Sequence, residues 1–177
     1  MDMKTLWKGK FISVVSPDKY PYEAISEVDG VCVLPILIGH KNGALFGIRK
    51  ELVPPYTVKS GDRMFYTAIS GGIEKSESAR DTMVRELKEE AGLILKRYTV
   101  VYHKPMHTMK ASVNLVHFVI IKVMEYGWTE PTTDGTKYEE VAKTTFIPEH
   151  HLIEILKMDN VDFLLTGLYG IYCNQVK

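Results

Sequence analysis

One stretch constrains this chain more than any other: GGIEKSESARDTMVRELKEEAGL, residues Gly71 to Leu93. From Glu77 to Ala91 it contains neither Gly nor Pro and is rich in helix formers, and Gly92 then serves as a helix stop. At about 100° per residue, Glu86, Glu89 and Glu90 fall on one face, because residues three and four apart are neighbours on a helix. Ala79, Met83, Val84, Leu87 and Ala91 form an apolar stripe beside that face, while Asp81 and Lys88 point to water. The helix is therefore expected to lie on a sheet with three carboxylates along the seam. Carboxylates crowded in that way repel one another, and a hard divalent cation offsets the charge while accepting oxygen ligands and substrate phosphates. Arg85 adjoins the cluster, and Glu77, two turns earlier, is placed to pair with it. Gly71 and Gly72 allow a tight turn and a close ligand approach before the helix, whose N-terminus favours anions.

The rest of the chain reads as strands around this helix. Phe11 to Val15 is a short strand, Val28 to Ile38 a longer apolar one interrupted by Pro35, and Ala44 to Arg49 its return after the loop Gly39 to Gly43. Glu51 to Asp62, with Pro54, Pro55 and Gly61, reads as a loop, and Arg63 to Ser70 as a strand ended by Gly71-Gly72. Arg97 to His103, Ala111 to Met124 and Val141 to Ile147 are the remaining strands, with a polar loop from Glu125 to Tyr138. Pro148 starts a helix to Lys157, and Asp159 or Asn160 caps a last helix to about Cys173. His117, inside an apolar strand, reads as a core histidine. The pattern is α/β: a mixed sheet with helices packed on it, in one domain spanning residues 1–177.

Composition narrows the partners. Lys plus Arg equals Asp plus Glu at 22 each, so there is no general basic field to attract nucleic acid or an anionic membrane. Cys32 and Cys173 are too few and too far apart for a disulfide framework or a zinc site. With no signal-like segment and no apolar run long enough to span a bilayer, the chain is expected in the cytoplasm.

The segment from Gly71 to Leu93 resembles the signature of the Nudix hydrolases: Gly, five residues, Glu, seven residues, then Arg-Glu-aliphatic-x-Glu-Glu-x-Gly-aliphatic. Gly71, Glu77, Arg85, Glu86, Leu87, Glu89, Glu90, Gly92 and Leu93 satisfy every fixed position. Three glutamates alone would read as a solvated helix face; seven fixed residue types at fixed offsets do not. The resemblance implies a Nudix-type α/β/α sandwich, with residues 71–93 as a loop-helix-loop and residues 1–27 as an N-terminal extension. It implies Mg²⁺ or Mn²⁺ held by Glu86, Glu89 and Glu90 with a backbone carbonyl near Ser70, and Glu77 and Arg85 as the orienting pair. The implied reaction is water attack on a pyrophosphate, with Glu89 or a loop acid such as Glu130, Asp134, Glu139 or Glu140 as general base. Arg49, Gly71 and Gly72 are the candidate substrate contacts. The flanking regions resemble ADP-ribose pyrophosphatases and nucleotide-sugar hydrolases, although Thr67-Ala68-Ile69-Ser70 stands where those proteins commonly have Glu-x-Pro-Ala. The implied partner is a small nucleotide, and the extension implies a homodimer. Two other readings share the site: a nucleoside triphosphate pyrophosphatase, and a nucleotide-sensing domain without catalysis.

Overall fold

The computed structural model describes residues 3–10, 12–17, 23–41, 43–61, 63–132 and 140–177. The strand Val28–Ile38 expected from the sequence appears as β4 (Gly30–Leu37), which is the centre of the molecule. Val31 to Leu37 are all buried, and their side chains alternate between two cores. Cys32, Leu34 and Ile36 join one core, and Val31, Val33 and Leu37 the other. A strand buried on both faces reads as a continuous apolar run, which is why it was legible.

Around it stand β5 (Leu45–Leu52), β6 (Met64–Thr67), β7 (Ile69–Gly72), β8 (Leu93–Met106), β9 (Val116–Trp128) and β10 (Lys143–Pro148). The main path runs β10-β5-β4-β9-β8, with β6 on β5 and β7 on β4. Strands β4 and β9 pair in parallel and the other neighbours antiparallel, so the sheet is mixed. The expected strand Arg63–Ser70 is divided at Ala68, because the chain passes there from the edge of β5 to the edge of β4. Pro35 lies between the β7-paired and β5-paired parts of β4, where that edge has no ladder for a proline to interrupt.

One face of the sheet carries α2 (Ala79–Ala91). Ser78 caps it through a reciprocal pair with Asp81, and Gly92, at φ 64°, closes it in the left-handed region that glycine adopts freely. Met83, Leu87 and Ala91 face the sheet as expected; Val84 is exposed, and Thr82 is buried in its place. The opposite face carries α3 (Glu149–Leu156) and α4 (Phe163–Ile171), which bury Leu152, Leu165 and Leu168, and a final π-helical turn (Tyr172–Val176). The result is a helix–sheet–helix sandwich.

Four local expectations change. Residues Pro54–Ser60 form a short helix, α1, because a proline suits a first helical turn as well as a loop. Strand β8 extends beyond its expected ends, to Leu93 and Met106, and β9 is shifted along the chain, starting at Val116 rather than Ala111 and running on to Trp128. Asp162, rather than Asp159 or Asn160, caps α4, and its Oδ1 accepts from Leu165 N at 2.8 Å. At the start of the chain β1 (Met3–Lys8), β2 (Ser13–Pro17) and β3 (Ala24–Ser26) form a separate antiparallel sheet, only part of which was expected from Phe11–Val15; Phe11 lies outside the described residues. This sheet is tied to the body by Ile25 N to Ala111 O (2.6 Å), Val113 N to Ile25 O (3.0 Å) and the side-chain amide of Asn114, which bonds both the N–H and the carbonyl of Glu27.

Burial raises the Asp162 carboxyl to about 6, offset by the Leu165 N–H and reinforced by the charge of Glu51. A carboxyl raised in the folded state contributes stability that is complete below its unfolded pKa near 3.8 and is lost as pH rises through about 6. Asp162→Asn keeps a good cap and removes the charge. It is therefore expected to stabilise the fold at pH 8 by up to about 3 kcal/mol, read as a higher Tm, and to change little at pH 4. Thermal melts at the two pH values check this, and an equal effect at both would refute it.

Candidate active site at the helix–sheet seam

The carboxylates converge where α2 meets the ends of β5 and β7. Arg85 is the hub. Its Nε donates to Glu77 Oε1 (2.9 Å) and Nη2 to Glu77 Oε2 (3.1 Å), while Nη1 reaches Glu86 Oε1 (2.7 Å) and Glu89 Oε2 (3.1 Å). Nη2 also donates to Gly72 O at 3.0 Å, tying β7 to the helix. Glu77 gains a further bond from Thr82 Oγ1 at 2.8 Å, and the arginine with this hydroxyl holds its carboxyl down at about 2. The pairing expected between Glu77 and Arg85 is thus formed, and it fixes the loop that enters the helix.

Glu86 is buried at the seam, Glu90 is half-buried there with its side chain 14% exposed, and Glu89 is the most open of the three, with its side chain 42% exposed. Burial raises the Glu86 carboxyl, with Arg85 opposing. Burial raises Glu90 to about 8, opposed by the charge of Arg49 and aided by those of Glu51 and Glu86. Ser70 N donates to Glu90 Oε2 at 3.3 Å, which places the Ser70 backbone beside the cluster. A side chain at position 71 would collide with the carboxylate of Glu86, so glycine is what lets that group lie against β7.

Sequence reasoning missed three residues here. Glu51, Thr67 and Thr144 surround Arg49: Thr67 Oγ1 donates to Glu51 Oε1 (2.7 Å) and Thr144 Oγ1 to Glu90 O (2.8 Å). The available signal was strand alternation, since Glu51 lies two residues beyond Arg49 on the same face; ending the strand at Arg49 concealed it. Arg49 itself is 5% exposed and turned to Glu51 and Glu90, away from open solvent.

Among the loop acids, Glu130 and Glu140 are exposed, and Asp134 and Glu139 lie outside the described residues. Thr132 N donates to Glu89 O at 2.9 Å, so the segment leading to those acids runs along the end of α2. His117 is half-buried rather than in the core, and its Nδ1 lies 2.8 Å from His103 Nε2. A cavity of about 310 Å³ opens beside Gly71 and Gly72, walled by Glu27 and Val28 from the chain before β4, Asn114 from the β8–β9 connection and Leu164 from α4.

The donors at the seam are all oxygen, which suits a hard divalent cation. Glu90 fits the same partner, because a buried carboxyl raised to about 8 needs a nearby positive charge to stay ionised at neutral pH. Among the described residues no three acidic, His or Cys side chains already stand as a ready ligand set; Glu86 and Glu89 share Arg85 Nη1. Gly71→Ala, which displaces Glu86, is expected to weaken Mg²⁺ binding about 10–100-fold in calorimetry while the far-UV circular dichroism is unchanged. Undiminished affinity would separate Glu86 from the cation.

The NUDIX domain model matches residues 32–164. Among solved structures, the crystal structure of an ADP compounds hydrolase is similar to this chain, with a TM-score of 0.68 and 15% identity over 99% of this chain and 94% of that one. At that identity the likeness is one of fold. A comparison with curated proteins finds no match.

Proposed function

The chain belongs to the NUDIX hydrolase family, and from that premise we propose that it cuts the pyrophosphate bond of a nucleoside diphosphate linked to another group, ADP-ribose or a nucleotide sugar. The observation that carries this reading is the position of the cavity: it adjoins the carboxylate seam through Gly71 and Gly72 and is walled partly by the N-terminal extension. A substrate with a group on each side of its pyrophosphate needs room beyond the reacting phosphates, and the cavity supplies it next to the carboxylates.

Glu86, Glu89 and Glu90, with the Ser70 backbone, would hold Mg²⁺ or Mn²⁺. Such a cation neutralises phosphate charge and lowers the pKa of bound water. Arg85, anchored by Glu77, fixes the directions of Glu86 and Glu89. Gly71 and Gly72 leave the backbone bare where the phosphates approach. Glu89, the most open of the three, is our candidate to take a proton from water, and the alternative base is Glu139, which lies outside the described residues. The structural relative is an ADP compounds hydrolase, which favours the same substrate class.

We take residues 1–177 as one domain and the cytoplasm as its place; no helix among the described residues is long and apolar enough to cross a membrane. The partner is a small nucleotide rather than a nucleic acid. For the homodimer, the support is β1, where Met3, Leu6 and Trp7 are each 45–55% exposed. Light scattering at micromolar concentration is expected to give twice the 20.1 kDa chain mass, and Trp7→Glu to lower it to one chain. A monomeric wild type would remove the dimer.

The catalytic reading is tested by incubating the protein with Mg²⁺ and ADP-ribose, nucleotide sugars, dinucleoside polyphosphates, NADH and nucleoside triphosphates, with Glu90→Gln beside it. We expect AMP or another nucleoside monophosphate plus a sugar phosphate from the first two classes, and at least about a 100-fold loss of kcat in the variant. Pyrophosphate released mainly from triphosphates would transfer the assignment to that class. Tight binding without turnover at any metal concentration would make the chain a nucleotide sensor.

A further inference from the structure

Arg49 stands on the sheet side of the seam, and it is shared unequally between two carboxylates. It stands in a row across three strands, Thr144 on β10, Arg49 on β5 and Thr67 on β6, on the face covered by α2. Its Nε donates to Glu51 Oε2 at 2.8 Å and lies 3.4 Å from Glu90 Oε1. Its Nη1 donates to the backbone carbonyl of Glu90 at 3.3 Å, the same oxygen that accepts from Thr144 Oγ1. Glu51 is held in turn by Thr67 Oγ1 at 2.7 Å. Two carboxylates thus flank one guanidinium, and the better hydrogen bond goes to Glu51.

We infer that Glu51 is a positioning residue for Glu90: by drawing Arg49 to itself it keeps the guanidinium from closing on Glu90 Oε1 and leaves that oxygen open to a divalent cation. Arg49 meanwhile pins the end of α2 through the carbonyl of Glu90, so the helix stays in place while the carboxylate stays uncommitted. This rests on the reading of Glu90 as a metal ligand. If Glu51 merely balanced a buried arginine, its loss would cost stability and leave metal affinity untouched.

Glu51→Gln keeps the shape and leaves Glu90 as the only anionic partner of Arg49. A cation at Glu90 must then displace the guanidinium. In titrations of Mn²⁺ followed by electron paramagnetic resonance, Glu51→Gln is expected to bind about 10–100-fold more weakly than wild type, the range for loss of a group that supports a metal ligand. Adding Arg49→Gln removes the competitor, so the double variant is expected to recover most of that affinity despite a lower Tm. Wild-type affinity in Glu51→Gln, or a double variant no better than the single one, overturns the inference while the metal site stands. A wild type that binds no Mn²⁺ removes the reading of Glu90 as a ligand, and the inference with it. Should Glu51→Gln not fold, Thr67→Val loosens the same carboxylate without changing charge; a smaller loss of Mn²⁺ affinity is expected, and no loss overturns the inference.

Discussion

Like charges gathered at a seam between a helix and a sheet must be balanced from both sides, and the architecture follows from that requirement. Arg85 supplies the helix side and Arg49 the sheet side. For Arg49 to arrive, β5 must end beside the last turn of α2; for Arg85 to hold Gly72 O, β7 must run alongside it. Both strands are fixed by β4, which pairs with each along successive halves of one edge. A central strand buried on both faces is what makes that shared edge rigid.

The two arginines differ in how they are used. Arg85 spreads four side-chain bonds over three glutamates, so it organises the entry loop and two carboxylates together. Arg49 holds a backbone carbonyl and two carboxylates from a nearly dry position. Low local polarisability strengthens each of its contacts and makes an unpaired charge there costly, so Glu51 and its threonine are required by burial itself.

What was legible in the sequence was whatever local spacing encodes. The 3.6-residue pattern, Ser78 and Gly92 disclosed α2 and its carboxylates. The unbroken apolar run disclosed β4. Strand β1 was not legible because all six of its residues are exposed, which leaves no alternation to read. The helix α1 was hidden because its prolines serve a loop equally well. Strand β9 was cut short because its last residues, Glu125 to Trp128, include polar and exposed positions. The pairing of Arg49 with Thr67 and Thr144 was beyond reach for a different reason: it depends on register among three strands, and a register joins residues far apart in the chain.

The amide of Asn114 stands in for a stretch of strand, offering one donor and one acceptor to Glu27 as a backbone would. It does so at the join between the N-terminal sheet and the body, where Asn114, Glu27 and the following Val28 all wall the cavity. None of the three seam glutamates lines that cavity. The wall and the charge seam are therefore built from different side chains, so the shape of the one can change without altering a carboxylate of the other.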